Sequence, residues 1–472
     1  MKKIFRFMVA AASLSMALSC SSFLDVDQSG KSDTDTYFAD LTGLRTARNG
    51  LYRTVYDVYD DYLFKYAETA GDNLQMVTAG TGTDFYYQYN FLSTPSLEST
   101  AVGFYWKRAF QIIINANNIL HYADGLRETY PSAEDEVDRC EAEAYFMRAL
   151  GHFALVRTYA QPYSYTPDAS HIGVPVVTKI LSTKDRVGRS TVAEVYSQMI
   201  KDVEAAKAYF SDDKVSDPYY VSGAACDGLL AELYLYMGDY AKAEAYSALA
   251  MGVGLTPRDS YQAMFTLEHP GSEAILRLTG KSMNVNGSLY MFYDYTSPKY
   301  RPSSEFYAMF DDSDVRKNLL RGPDGRLACM KYYDLIHSSQ KDRFYDITIL
   351  RGSGMYLDHA EACCAQGKLA EAAADLRAVR ARAYGADPSA PGLVVYYGKD
   401  DLMSQIKTER RKELCFEGTR FYDLARWGDD VVRPSDTNSS VKELTYPDYR
   451  FALPIPQTEI DVNEAMVQND NY

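Results

Sequence analysis

Apolar side chains recur every three or four positions between residues 225 and 251, which is the spacing of an amphipathic helix. They are Cys226, Leu230, Leu233 and Met237 on a first face, and Ala241, Ala245 and Leu249 on a second. Gly238 and Asp239 interrupt the pattern between the two faces. Because glycine tolerates the backbone conformation of a tight turn, we predict two antiparallel helices joined at Gly238.

The same pattern recurs nearer the C-terminus, in residues 355–383. The two copies align Ala231 with Ala360, Glu232 with Glu361, Gly238 with Gly367, Ala241 with Ala370, Ala243 with Ala372 and Ala245 with Ala374. Small residues at these positions let paired helices approach closely. This is the organisation of a tetratricopeptide unit, although the two copies are not in tandem.

Further helices are predicted on both sides of the first copy. The segments 40–59, 102–123 and 141–159 show helical periodicity, and Thr191 with Glu194 forms a capping-box pattern that opens a helix to about residue 210. We therefore predict a mostly α-helical fold in which about four tetratricopeptide-like helix pairs form a partial superhelical scaffold.

Three segments lack helical periodicity. Residues 76–100 are rich in Gly, Thr, Ser and Tyr, residues 252–350 contain several Pro and Gly with a short strand at 273–278, and the tail 434–472 is punctuated by proline. Long irregular segments on a helical scaffold more often carry function than packing.

The N-terminus reads as a secretory signal over residues 1–19. Lys2, Lys3 and Arg6 precede a short apolar stretch and small residues that end at Cys20, and this stretch is too short to span a bilayer. We predict cleavage and lipidation at Cys20. Ala17 stands where lipoprotein signals usually carry leucine, so the alternative is an ordinary secretory signal with Cys20 as a bystander.

The net charge of −15 repels phosphate backbones and anionic headgroups, so no nucleic-acid partner is expected and membrane attachment must come from a lipid. The other six cysteines show no paired spacing, and we interpret them as small apolar residues of the fold. They are Cys140, Cys226, Cys329, Cys363, Cys364 and Cys415.

No motif for catalysis or cofactor binding stands out. The six histidines include no HExxH motif and no two within one helical turn, so no metal site is predicted. The sequence Asp358-His359 is interpreted as surface or packing. No motif selects a nucleophile or a pair among the 64 acidic residues, and neither Gly80-x-Gly82 nor Gly352-x-Gly354 has phosphate-loop spacing. The charges of the run 409–413 alternate in sign and form i,i+4 pairs on a helix, which we interpret as a structural network that holds the C-terminal helices. We therefore predict a protein that is not an enzyme and has no cofactor.

The order of short motifs along the chain resembles the SusD/RagB family of outer-membrane nutrient-binding lipoproteins. The matching segments are Phe23-Leu24-Asp25, Asn49-Gly50-Leu51-Tyr52, Trp106, 115–120, Arg148-Ala149-Leu150, Gly173-Val174-Pro175, 189–192, Tyr356-Leu357, 360–362, 379–382, 409–414, Phe416-Glu417-Gly418, 420–424, Leu453-Pro454-Ile455-Pro456 and Gln468-Asn469 with Tyr472.

The resemblance implies four tetratricopeptide units with an irregular, loop-rich ligand-binding lobe, a glycan ligand captured at the cell surface, and a SusC-like TonB-dependent barrel transporter as partner. It places the protein in the outer membrane, anchored by its lipid and facing the exterior. It also divides the chain after the signal into an N-terminal half, 20–251, and a C-terminal half, 252–472. The second half comprises the lobe 252–350, the helix pair 351–383, and a C-terminal helix and tail at 401–472.

A glycan site needs flat aromatic platforms beside polar groups. The chain has 41 tyrosines and 2 tryptophans, and we assign Trp106 and Trp427 to the core. The resemblance places ligand-contacting aromatics in two loop regions. The candidate ligand-binding residues are Tyr86, Tyr87, Tyr89 and Asn90 in the first region, and Tyr290, Tyr293, Tyr295 and Arg301 in the second. The alternative for each tyrosine is loop packing.

The leading hypothesis is a surface glycan-binding protein that delivers oligosaccharides to its transporter. A peptide-binding member of the same family is the first alternative, because tyrosine also serves peptide recognition. A secreted hydrolase and a helical adaptor that binds only protein are the others.

Overall fold

A computed structural model describes residues 34–97, 101–212, 214–215, 217–265, 271–280, 287–332, 344–435 and 437–472. The predicted signal 1–19 and Cys20 lie outside the described residues. The chain divides into a small unit, residues 1–45, and a large unit, residues 46–472. The functional residues discussed below belong to the large unit.

The fold is mostly α-helical. The α-helices are α1 (Thr34–Tyr37), α2 (Leu41–Val58), α3 (Phe64–Thr69), α4 (Tyr86–Tyr89), α5 (Ala101–Thr129), α6 (Glu134–Tyr159), α7 (Val192–Lys207), α8 (Gly223–Met237), α9 (Tyr240–Ala250), α10 (Leu289–Phe292), α11 (Ser304–Ala308), α12 (Gly352–Ala365), α13 (Leu369–Tyr384), α14 (Lys399–Glu413), α15 (Arg420–Trp427) and α16 (Gln457–Val462). The strands are β1 (Leu74–Met76), β2 (Ala274–Leu278), β3 (Tyr300–Pro302), β4 (Ile347–Arg351), β5 (Val431–Val432) and β6 (Glu443–Leu444).

The long helices form one continuous stack. Helix α5 packs on α6, and the packing continues through α7, α8, α9, α12 and α13 to α14, which also contacts α12. The predicted pair at 225–251 is α8 with α9, and the predicted pair at 355–383 is α12 with α13. Gly238 (φ +74°) and Gly367 (φ +81°) lie in the left-handed region at the two turns. The predicted helix-pair architecture is therefore confirmed.

Helix α6 is longer than the sequence pattern predicts. Helix α6 begins at Glu134 rather than at residue 141, because Glu134, Asp135 and Glu136 place negative charge on its first turn and so favour helix initiation there. It packs on both α5 and α7. The predicted capping box is confirmed: Glu194 N donates to Thr191 Oγ1 at 3.2 Å and Thr191 N donates to Glu194 Oε2 at 2.8 Å.

The described residues form three short antiparallel ribbons, two of which join distant parts of the chain. Strand β2, predicted at 273–278, pairs with β4, and β5 pairs with β6. Strand β1 pairs with β3, which brings Gln75 opposite Arg301. The β1–β3 ribbon therefore fixes the two predicted loop regions side by side.

The six described cysteines are buried free thiols, as predicted. Trp106 is a core residue with 2% exposure. The assignment of Trp427 to the core is wrong, because this residue is only partly buried at the end of α15. Its ring lies 4.7 Å from both Lys407 Nζ and the Arg426 guanidinium, while its indole donates to Glu361 Oε1 at 2.8 Å.

The charged run on α14 is a structural network, as predicted, but its partners lie on other elements rather than on the same helix. Glu409 contacts Arg316 and Arg380, and Glu413 contacts Arg316 with Arg351 and Arg382. Among the described residues, no helix is long and apolar enough to span a bilayer.

Candidate functional site

The loop after β1 carries a short helix, α4, between two residues in left-handed conformations. Phe85 has φ 61° and Phe91 has φ 53°. This conformation costs a residue other than glycine about 1–2 kcal/mol, and such strain concentrates at ligand-binding sites. Both phenylalanines are 9% exposed, so burial of their rings offsets the backbone cost. The two residues fix where α4 starts and ends.

A cavity of about 380 Å³ lies beside α4. Five aromatic residues line it: Tyr62, Phe85, Tyr86, Tyr87 and Phe104. The rings of Tyr86 and Tyr87 are 5.4 Å apart and nearly perpendicular, and the two side chains are half-buried. Phe104, on α5, is 47% exposed. The cavity therefore presents several flat apolar faces to solvent.

One wall of the cavity is a π-helical turn, residues Tyr59–Leu63, inserted between α2 and α3. Such turns frequently mark functional sites because the extra residue redirects neighbouring side chains. Tyr62 stacks on the buried Tyr105 ring at 5.9 Å and an interplanar angle of 13°, and Asp61 lines the cavity beside it. Asp60 instead is buried and accepts hydrogen bonds from Ser288 N and Ser288 Oγ, each at 2.7 Å.

Charged groups form the polar part of the cavity wall. Asp84 forms an ion pair with Lys299 at 2.6 Å, and both side chains are partly exposed. Lys65 Nζ donates to Ser288 Oγ at 2.6 Å and lies 3.9 Å from Asp61. Burial lowers the pKa of Lys65, against the attraction of Asp60 and Asp61. Carboxylates and an ammonium group thus lie beside the aromatic faces.

Two family models match this chain. The model described as "Starch-binding associating with outer membrane" matches residues 22–235, and the model of the SusD family matches residues 307–472. The chain belongs to the SusD/RagB family. Members of this family are binding proteins rather than enzymes, and the first model's description associates them with the outer membrane.

Relatives and solved structures agree with this family. SusD-like protein P2 of Formosa agariphila is 25% identical over 78% of this chain and 80% of its own length. A SusD superfamily protein from Bacteroides thetaiotaomicron superposes with a TM-score of 0.82 at 24% identity, covering 92% of this chain and all of the other. A SusD-like carbohydrate binding protein from Bacteroides vulgatus superposes with a TM-score of 0.74 at 20% identity, covering 90% of this chain and 97% of its own. The two superpositions show that the SusD fold is shared.

Within this SusD-family fold, the residues predicted for the first loop separate into two groups. Tyr86 and Tyr87 line the cavity. Tyr89 and Asn90 are buried, with 0% and 2% exposure. The Tyr89 hydroxyl hydrogen-bonds to Thr437 Oγ1, and Asn90 Oδ1 accepts from Ser440 N at 2.8 Å. Tyr89 and Asn90 therefore attach the loop to the C-terminal tail and do not line the cavity.

The residues predicted for the second region do not line this cavity. Tyr293 is buried against Tyr332 and Phe416. Tyr290 is partly buried beside it on α10, and Tyr295 packs on the cluster around Tyr261. These tyrosines are half-buried or buried. Arg301 lies on β3, where its Nη2 donates to Gln75 Oε1 at 3.4 Å.

Neighbouring residues of this second region instead pack against the first loop region. Tyr300 donates from its hydroxyl to Asp84 O at 2.9 Å, and its ring stacks on Phe292 at 4.8 Å. Phe292 in turn contacts the edge of the strained Phe85 at 6.2 Å. The two loop regions therefore form a single structure, with the cavity on the face of the first.

Sequence reasoning missed Asp61, Tyr62, Lys65 and Phe104. Asp61, Tyr62 and Lys65 lie just beyond the predicted helix 40–59, outside every segment that was predicted to carry a site. Phe104 lies within the predicted helix 102–123, where an aromatic residue at helical spacing indicates a packed face. The sequence contains one usable signal, the crowded run from Tyr59 to Tyr62 at the end of a helix.

Proposed function

We propose that this chain is a surface-exposed outer-membrane lipoprotein that binds oligosaccharides and delivers them to a SusC-like TonB-dependent transporter. It carries out no chemistry on the ligand. The cavity lined by Tyr62, Tyr86, Tyr87 and Phe104 is the observation that carries this proposal.

The chemistry of the cavity suits a sugar. The apolar C–H faces of a pyranose ring pack on aromatic rings, while its hydroxyl rim needs acceptors and donors close to those rings. Asp61, Asp84 and Lys65 supply such groups around the same space. A cavity of about 380 Å³ is at the small end of ligand sites, which suits a short stretch of a longer glycan.

Attachment and transport rest on the family and on the N-terminal sequence. The outer-membrane association in the family model agrees with the signal 1–19 and with lipidation at Cys20. A Cys20→Ser protein should lose incorporation of labelled palmitate and leave the membrane fraction. Protease treatment of intact cells should cleave the wild type if it faces the exterior. The transporter should co-purify with the wild type from crosslinked membranes.

Affinity electrophoresis in polysaccharide gels, followed by calorimetry with fragments, tests the ligand. We expect a neutral polysaccharide to retard the mature protein, and Tyr86→Ala and Tyr87→Ala each to weaken binding about tenfold or more, as for the loss of roughly 1.4 kcal/mol at a binding hot spot. Tyr397→Ala is the matched control, because Tyr397 is a 90% exposed tyrosine outside the cavity.

Other outcomes point elsewhere. Binding of peptide mixtures alone would assign the chain to a peptide-binding branch of the family. Turnover of a substrate would make it a hydrolase. Equal weakening by Tyr397→Ala and Tyr86→Ala would contradict the proposed site.

A further inference from the structure

A histidine and a cysteine outside the cavity lie one turn apart on α12. His359 and Cys363 both face the helices that pack against α12, and Cys363 is fully buried. Glu244, on α9, lies close to both side chains, and Asp375, on α13, contacts His359. No pair of histidines marks this group in the sequence, because its ligands are of three different types.

The geometry of these side chains is that of metal ligands. One ligand atom from each of Glu244, His359 and Cys363 lies within 4.8 Å of the other two. Cys363 Sγ is 3.7 Å from His359 Nε2. A tetrahedral Zn²⁺ with bonds of 2.3 Å to sulfur and 2.0 Å to nitrogen requires about 3.5 Å between these two atoms, so the helix already presents the pair at nearly the required separation.

Asp375 provides the support that zinc-bound histidines usually have. Its Oδ2 lies 2.6 Å from His359 Nδ1. If Nδ1 carries the proton, the carboxylate accepts that hydrogen bond and leaves the Nε2 lone pair available. Carboxylate–histidine pairs of this kind fix the tautomer and orientation of the imidazole in zinc sites.

We propose that Glu244, His359 and Cys363 bind a Zn²⁺ ion, with Asp375 positioning the histidine and a water molecule completing the tetrahedron. One thiolate, one imidazole and one carboxylate form a donor set that suits zinc better than calcium or magnesium, which prefer oxygen ligands alone. This inference is independent of the glycan site, because none of these residues lines that cavity.

Two local features set the conditions for binding. Lys368 now forms an ion pair with Glu244 at 2.5 Å, but its side chain is 44% exposed and lies in the turn between α12 and α13. The ammonium group can therefore move into water when Zn²⁺ takes its place. Zinc is bound by the thiolate, so the Cys363 thiol must release its proton when the ion binds.

The bound ion would link the two helix pairs. Glu244 belongs to the pair α8–α9, whereas His359 and Cys363 belong to the pair α12–α13. A ligand that binds only the folded chain stabilises it by mass action. Zinc should therefore raise the urea midpoint of the mature protein.

Cobalt substitution and zinc calorimetry on the mature protein test the site. We expect Co²⁺ to give a near-ultraviolet thiolate-to-cobalt absorption that Zn²⁺ removes. The absorption should disappear in Cys363→Ser and persist in Cys364→Ser, whose buried thiol contacts Lys399 O at 3.5 Å instead. Asp375→Asn should retain the ligands and lower zinc affinity about 10–100-fold, as for other residues that support ligands.

The result that overturns the proposal is equally definite. It is wrong if the wild type shows no thiolate-to-cobalt absorption, or if that absorption survives in Cys363→Ser. Should Cys363→Ser fail to fold, His359→Gln replaces a side chain that is 16% exposed. Unchanged zinc affinity in that variant would also refute the site.

Discussion

Replacing Glu413 with glutamine tests whether buried charge holds the C-terminal helices together. Glu413 is fully buried at the end of α14. Its Oε1 accepts from Arg382 at 2.6 Å and from Arg351 at 2.9 Å, and its Oε2 accepts from Arg316 at 3.0 Å. Glutamine keeps the shape of the side chain but leaves the guanidinium groups without this carboxylate.

The expected loss of stability depends on the ion pairs that remain in the variant. Removing one partner of a buried ion pair costs about 3–5 kcal/mol, because the remaining charge stays desolvated. Glu273 still contacts Arg351 at 2.6 Å and Arg382 at 3.3 Å, and Glu409 still contacts Arg316 at 2.7 Å. These contacts place the expected loss near the lower end, at about 3 kcal/mol, a large fraction of the roughly 5–15 kcal/mol that stabilises a typical domain.

Urea unfolding followed by far-ultraviolet circular dichroism measures this loss. Glu413→Gln should unfold at a clearly lower midpoint than the wild type. Glu464→Gln is the control, because Glu464 is exposed and such a change should stay within about 0.5 kcal/mol. If the two variants unfold at the same midpoint, the buried network does not stabilise the fold as argued.

The same residue predicts a pH dependence. Burial alone would raise the pKa of Glu413, but Arg382, Arg351 and Arg316 together hold the pKa well below its ordinary value of 4.5. A lowered pKa in the folded state gives stability that is present above pH 4.5 and is lost as the pH falls through the folded value. The wild type should lose stability below about pH 4.5 more steeply than Glu413→Gln.

Three further predictions concern turns, caps and a buried acid. Gly367→Ala should lower the free energy of unfolding in urea by about 1–2 kcal/mol, because φ is +81° there and no neighbour lies within 4 Å to add a clash. Gly125→Ala is the control and should not destabilise the protein, because Gly125 is helical on α5 and an added Cβ would meet nothing within 4 Å. Thr191→Ala should cost about 1 kcal/mol through loss of the capping box, measured by thermal unfolding. Burial raises the pKa of Glu68 to about 7, so its contribution to stability falls as the pH rises from about 4.5 to 7; Glu68→Gln should therefore be more stable than the wild type at pH 8, and a less stable variant would refute this.

The helices could be predicted because their signals are local. A glycine at the turn, a capping box at the start and small residues on facing positions lie within a few residues of the feature they determine. The packing partner of each helix was harder to predict, because the spacing of apolar residues gives no signal for the turn between α5 and α6. The arginine partners of Glu409 and Glu413 come from segments 29–97 residues away, so the burial of the two carboxylates was not visible in the charge pattern.

The candidate site was predicted only in part. The sequence gives no reason why Tyr87 faces solvent while Tyr89 is buried, because contact with Thr437 decides this. The π-helical turn also depends on distant partners, since Ser288 and Tyr345 both donate to Asp60. Tyr62 belongs to this turn and lines the cavity from there.

Contacts from the C-terminal tail hold the loop that carries Tyr86 and Tyr87. Arg433, 4% exposed, donates to Tyr89 O at 2.5 Å, to Gly71 O at 2.9 Å and to Thr69 O at 2.9 Å. A guanidinium bound by backbone carbonyls must be desolvated, and burial lowers the pKa of Arg433 to about 10. That cost, and the strain at Phe85, are met when the chain folds. A loop held by such contacts loses less conformational freedom when a ligand binds beside it, which favours affinity at a small site.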